Sequence, residues 1–126
     1  MSGGRHPSDA EREDAAAPVV ARLVGAIESG DGAALAACYA EACTCLAEGG
    51  PIEGREEVAA HHAAVSDRLP GLASRRVTRR QQRGAHAVVG WVGWDAGGRP
   101  VGTGISTLEI RRGEVVFESY REDAAG

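Results

Sequence analysis

Residues 18–65, PVVARLVGAIESGDGAALAACYAEACTCLAEGGPIEGREEVAAHHAAV, decide the fold. Val19, Val20, Leu23, Val24 and Ile27 recur with helical period, and Pro18 has the fixed φ suited to a first helical turn. Gly30 ends that helix, and Asp31 is placed to cap the next. The second helix is short, with Leu35, Cys38 and Tyr39 predicted on its inner face. Residues 43–47 read as a strand closed by the turn Gly49-Gly50-Pro51. Gly54-Arg55-Glu56-Glu57 then opens a third helix, its acidic first turn favourable to the helix dipole. The apolar stripe of this helix is Val58, Val65 and Leu69, and His61 and His62 fall on the same stripe.

Downstream, Pro70-Gly71 stops the helix and the period changes to two. Residues 74–83 form a strand rich in arginine: Arg75, Arg76, Arg79, Arg80 and Arg83. Without aromatic residues interleaved for base stacking, this run reads as a solvated sheet face more than as a nucleic-acid contact. Residues 85–95 carry Val88, Val89, Trp91, Val92 and Trp94, and a turn at residues 96–99 leads into the strand 101–111. Arg112-Gly113 turns into a last strand, residues 114–121. The order of helix, helix, strand, helix and four meandering strands predicts an α+β fold, three N-terminal helices on a curved, mostly antiparallel sheet. Upstream, residues 1–16 are polar and Ala-rich. Ser8 and Glu11 have capping-box spacing, but the stretch reads as a mobile tail before a single domain over residues 17–123.

At 126 residues the chain is the size of one domain with room for a core and one small-molecule pocket. The net charge of −4 argues against general affinity for nucleic acid or anionic membrane. No apolar run reaches the roughly 20 residues of a membrane span, so a cytoplasmic protein is expected. All the basic side chains are arginine, a bias that reads as genome composition. Three cysteines, Cys38, Cys43 and Cys45, read as buried free thiols. Cys43 and Cys45 share a strand face but lack further ligands at metal-site spacing, so no metal is expected.

The segments VVARLVGAIESGD (19–31), CYAEACT (38–44), GREEV (54–58) and GEVVFESY (113–120) resemble the SnoaL-like branch of the nuclear transport factor two-like superfamily, which includes ketosteroid isomerase. The resemblance covers nearly everything after residue 17. It implies a cone-shaped barrel, a homodimer paired through the open sheet face, no organic cofactor, and a small hydrophobic molecule in the cone. It also implies which isomerase groups are missing. The general base position falls on Ala47, beside Glu48, the helical tyrosine donor on Leu23, and the protonated carboxyl donor on Ser106. Limonene epoxide hydrolase-like chemistry is not supported either, because neither of the last two strands offers the inward Asp that it needs.

Other residues could supply acid/base chemistry. By the resemblance, His61 and His62 abut the pocket, and an imidazole at an apolar wall relays protons near neutral pH. Val116, Glu118 and Tyr120 share one side of the last strand by its period, and a carboxyl in an apolar cone suits a general acid or base. A one-residue slip would instead put Phe117 inside. Trp91 and Trp94 lie on opposite strand faces, and Trp94 is the choice for the pocket. Gly102, Gly104 and Ser106 share a face that leaves room for a ligand or a tryptophan. The expected catalytic residues are therefore His61, His62 and Glu118. Leu23, Trp94, Ser106, Leu108 and Tyr120 are expected to bind substrate, with Ser106 or Tyr120 holding an oxyanion. The function expected is isomerisation, cyclisation or dehydration of a hydrophobic, polyketide-like metabolite. The competing expectation is a non-catalytic ligand-binding or dimerisation module. An inward carboxyl–imidazole pair within about 2.6–3.2 Å would favour the enzyme.

Overall fold

The computed structural model describes residues 7–126. Its elements run α1 (Asp9–Ser29), α2 (Gly32–Ala36), β1 (Tyr39–Ala47), β2 (Gly50–Glu53), α3 (Arg55–Ala63), α4 (Val65–Arg68), β3 (Ser74–Arg83), β4 (His86–Trp94), β5 (Pro100–Arg111) and β6 (Glu114–Ala124). The strands form one open six-stranded sheet in the order β2-β1-β6-β5-β4-β3. Among the described residues only the β1–β6 pair is parallel. The helices pack on one face of this sheet, in the α+β arrangement expected from the sequence, with the curvature of a cone and without closure of a barrel.

Helix α1 begins at Asp9, earlier than the expected start at Pro18. Ser8 caps it through a complete capping box, its hydroxyl accepting from Glu11 N–H while the Glu11 carboxylate accepts from Ser8 N–H. The helix therefore extends through residues read as tail, and Glu13 ties it to the β3–β4 hairpin through Gln82 Nε2 at 2.6 Å and Gly84 N–H at 3.0 Å. Residues 1–6, the rest of that expected tail, lie outside the described residues. Pro18 sits inside the helix on its exposed side, where water can satisfy the carbonyl its missing N–H leaves free. Gly30 ends α1 with φ 69°, a left-handed conformation that glycine adopts without penalty. Asp31 caps α2, its carboxylate accepting from Ala34 N–H at 3.0 Å.

Further boundaries depart from the sequence expectation. The third helix, expected to run unbroken to Pro70, divides at Ala64 into α3 and α4. Helix α2 stops at Ala36, so Tyr39 opens strand β1 instead of lying on a helix. The residues read as a closing turn, Gly50 and Pro51, belong to strand β2, which pairs antiparallel with β1. Pro51 is tolerated because β2 is an edge strand.

The core lies between α1, α3 and the concave sheet face. Val19, Val20 and Leu23 of α1 meet Val58 of α3 and Val89, Leu108 and Val115 of the sheet. Each such aliphatic side chain contributes roughly 1.5–3 kcal/mol of burial free energy. Leu23 is buried at the centre of this contact, so Leu23→Ala is expected to cost about 2–5 kcal/mol in urea unfolding. A loss below about 1 kcal/mol would show that the site collapses without a cavity.

Candidate functional site

Glu118 is the pivot of the interior. It is 1% exposed, among the largest fully buried side chains. Its inward orientation follows from a bulge: Phe117 pairs with Glu109 but Val115 with Ile110, which leaves Val116 as an extra residue in β6. The bulge resets the alternation, so Val115, Glu118 and Tyr120 are buried while Phe117 is only partly covered. Val116, expected on the inner side, is displaced from it for the same reason. Beside Glu118 the register sets Cys45 on β1 and Leu108 on β5.

Hydrogen-bond donors surround the carboxylate. His62 Nε2 lies 2.8 Å from Oε1, and the Tyr39 hydroxyl donates to Oε1 at 2.9 Å. The Ser106 hydroxyl donates to Oε2 at 2.6 Å. His62 Nε2 also lies 3.2 Å from the Tyr39 hydroxyl oxygen. Burial alone would raise the Glu118 carboxyl. Attraction to the His62 ring in its protonated form, and the hydrogen bonds from His62, Ser106 and Tyr39, overcome that and hold it below the ordinary glutamate value. Burial and the same carboxylate push the Tyr39 hydroxyl well up, so it stays a donor.

His62 reaches this cluster from α3, where it is 6% exposed. With Nε2 directed at Glu118, Nδ1 is the ring nitrogen that lacks a hydrogen-bond partner among the described residues. The ring packs edge-on against Tyr120, 4.6 Å between centroids, and stacks on Tyr39 at 5.8 Å. It also lines a cleft of about 370 Å³ between the end of α1, α2, α4 and the start of β3, with Ile27, Leu35, Val65, Leu72 and Arg75. That volume falls in the range that holds small organic ligands. A carboxylate fixing one imidazole nitrogen of a residue that also lines a cleft is an arrangement suited to general base chemistry.

His61 has a different setting. It is half-buried, edge-on to Tyr120 at 6.0 Å, and lines a separate cleft of about 290 Å³ with Arg68, Tyr120 and Glu122. Burial, then the Arg68 charge and His62, lower its pKa and favour the neutral ring. In the same cleft Arg68 grips the Glu122 carboxylate with two hydrogen bonds of 2.8 and 2.7 Å, and the Tyr120 hydroxyl donates to it at 2.6 Å.

The structure thus brings together His62, Glu118 and Ser106, and sets Tyr120 against both histidines. Leu23 and Leu108 are core side chains, each 1% exposed. Ser106 and Tyr120 both commit their hydroxyl protons to carboxylates, which leaves neither as a free oxyanion donor. Trp94 is half-buried at the end of β4, and Trp91 is the tryptophan on the inner face. The reason is Gly104: a Cβ there would stand 2.3 Å from the Trp91 indole, which occupies the space the glycine leaves. Gly104→Ala is therefore expected to displace that indole at a cost of about 1–3 kcal/mol, with a change in near-ultraviolet dichroism. An unchanged aromatic spectrum and stability would contradict this packing.

Sequence reasoning missed Tyr39, Cys45 and Arg75. Cys45 Sγ, His62 Nε2 and a Glu118 oxygen lie within 4.8 Å of one another, close enough for a metal to bridge. Hydrogen bonding accounts for this proximity. Burial, then the Glu118 charge, raise the Cys45 thiol so far that it remains protonated and donates to the same carboxylate.

The depressed carboxyls make stability pH-dependent. Glu118 and Glu122 titrate lower in the folded chain than the ordinary 4.5, so their contribution is complete above that value. It is lost as pH falls through their folded values. The melting temperature should ease downward below about pH 6.5, where burial opposes protonation of His61, and fall more steeply below about pH 4.5 as the carboxyls protonate, with a shallower acid limb in Glu118→Gln. An acid limb of the same slope in that variant would remove Glu118 from the account.

The SnoaL-like domain family matches residues 20–118, and the chain belongs to that family. Solved structures agree on the fold. A nuclear transport factor two-like protein of unknown function from Mesorhizobium loti superposes with a TM-score of 0.73 at 24% identity, covering 96% of this chain and 98% of that one. A second such protein, from Burkholderia xenovorans, gives a TM-score of 0.70 at 25% identity, covering 90% and 85%. A candidate SnoaL-like polyketide cyclase from Jannaschia gives 0.69 at 19%, covering 95% and 92%. Among curated proteins none matches the sequence.

Proposed function

We propose that this chain is a SnoaL-like enzyme that moves a proton on a small, largely hydrophobic cyclic metabolite, with His62 as the base and Glu118 as its partner. The observation that carries this reading is the 2.8 Å contact between His62 Nε2 and Glu118 Oε1 inside a buried cluster, beside a cleft that the same histidine lines. Glu118 holds the imidazole in the tautomer whose Nδ1 lone pair is available. When Nδ1 takes a proton from carbon, the ionised carboxylate stabilises the imidazolium that forms. Isomerisation, cyclisation and dehydration all begin with such a step. No metal or organic cofactor has a part in it.

The direct test is hydrogen–deuterium exchange at carbons next to the carbonyl in a panel of cyclic enones and β-diketones. Exchange above the buffer rate that disappears in His62→Gln supports the reading. Exchange at the same rate in wild type and variant refutes it.

A second reading, a ligand-binding module without turnover, is favoured by one observation. The hydroxyls of Ser106 and Tyr120 are already committed to carboxylates, so neither waits for a developing oxyanion. Tight binding of panel members without any exchange would select that reading. In either case we propose pairing of two copies through the open sheet face, where Leu46 is 44% exposed and Phe117 and Ile105 are partly covered. Sedimentation equilibrium checks this: Leu46→Glu should shift a dimer towards monomer.

A further inference from the structure

Arg75 stands on β3 with its guanidinium over the Trp91 ring, 5.2 Å from the centroid, and lines the same 370 Å³ cleft as His62. It is partly buried, and among the described residues it has neither a salt bridge nor a hydrogen-bond acceptor. A guanidinium removed from water without an acceptor is costly, and the aromatic face offsets only part of that cost. The carboxylates nearby are already engaged. Glu122 is held by both Arg68 nitrogens and the Tyr120 hydroxyl. Glu28 accepts from Val77 N–H at 2.9 Å, and Asp31 caps α2. Both of these lie on the exposed rim, where solvent screens them.

We infer that the cleft takes a ligand bearing a carboxylate, with Arg75 binding that group and the ring system lying between Ile27, Leu35, Val65 and Leu72 towards His62. The fork of guanidinium N–H groups matches the two oxygens of a carboxylate, and Trp91 keeps the fork in place from below. The inference names the substrate class for the proton-transfer site proposed above and rests on that reading for the role of His62, but not for the binding step. An acid of this kind also has a purpose in the chemistry. A carboxylate anchored at one end of the cleft fixes which ring carbon lies against Nδ1.

Binding separates the two ideas. Cyclohexanecarboxylate and its neutral amide can be titrated calorimetrically into wild type, Arg75→Met and Arg75→Lys. The expected result is tighter binding of the acid by about ten- to hundredfold in wild type, loss of that preference in Arg75→Met, and partial recovery in Arg75→Lys. Unchanged far-ultraviolet dichroism of the variants confirms that they fold. Equal affinity for acid and amide in wild type, no binding of the acid in the millimolar range, or a preference that survives Arg75→Met would each overturn the inference. Exchange activity that depends on His62 but shows no acid preference would leave the proton-transfer reading standing while removing Arg75 from it. Acid preference without exchange would do the reverse.

Discussion

Glu118→Ala should lower the unfolding free energy by about 3–5 kcal/mol. The size follows from what remains behind. Truncation leaves His62 Nε2, the Tyr39 and Ser106 hydroxyls and the Cys45 thiol buried without the acceptor they share. It also opens a cavity where one of the largest fully buried side chains stood. Glu118→Gln keeps the shape but sets an amide NH2 group against donors, and should cost about 1–3 kcal/mol. Because His62 and Glu118 are in contact, their effects should not add. The double variant Glu118→Gln/His62→Gln is expected to lose less than the sum of the single ones in urea titrations. Strict additivity would mean the two side chains do not interact as described.

Replacing His62 has the larger consequence for chemistry. His62→Gln should reduce the exchange rate by about 10²–10⁴, the usual contribution of a positioned general base. It should leave the fold in place, since Tyr39 and Ser106 still donate to Glu118. His61→Gln is the control. His61 lies in the other cleft with Arg68 and Glu122, and its loss should change the rate by less than about threefold. Equal losses from both substitutions would mean that the two imidazoles act together.

Much of this was legible in the chain. The 3.6-residue recurrence at Val19, Val20, Leu23 and Ile27 and the Gly30-Asp31 break predict the helical layer, because propensity, capping and burial agree there. The stripe through Val58 and His62 and the alternation through Glu118 and Tyr120 are also readable. Their meeting is not, since α3 and β6 are distant in sequence and only the sheet order β1-β6-β5 brings them together. Tyr39 was out of reach for a local reason. The Ala-rich run before it reads as helix, and the pairing of β1 with β6 overrides that propensity. The β6 bulge at Val116 leaves no mark in the sequence, where Val115 and Val116 are the same residue type. Arg75 was available in principle, because strand parity puts it with Val77 on the inner side. Its four companions in the Arg run pointed instead to a solvated face. The choice of Trp91 over Trp94 likewise depends on which indole Gly104 accommodates, and that needs the β4–β5 register.

The measurement that tests the central claim most directly is an NMR determination of the His62 ring tautomer in wild type and in Glu118→Gln. The account predicts a neutral ring with its proton on Nε2, and ring-nitrogen signals that change when Glu118 is neutralised, because the 2.8 Å contact joins the two groups. If the His62 ring instead carries its proton on Nδ1, or shows the same ring-nitrogen signals in both proteins, the pair does not exist in solution. The acid/base assignment then falls, and the binding-module reading takes its place.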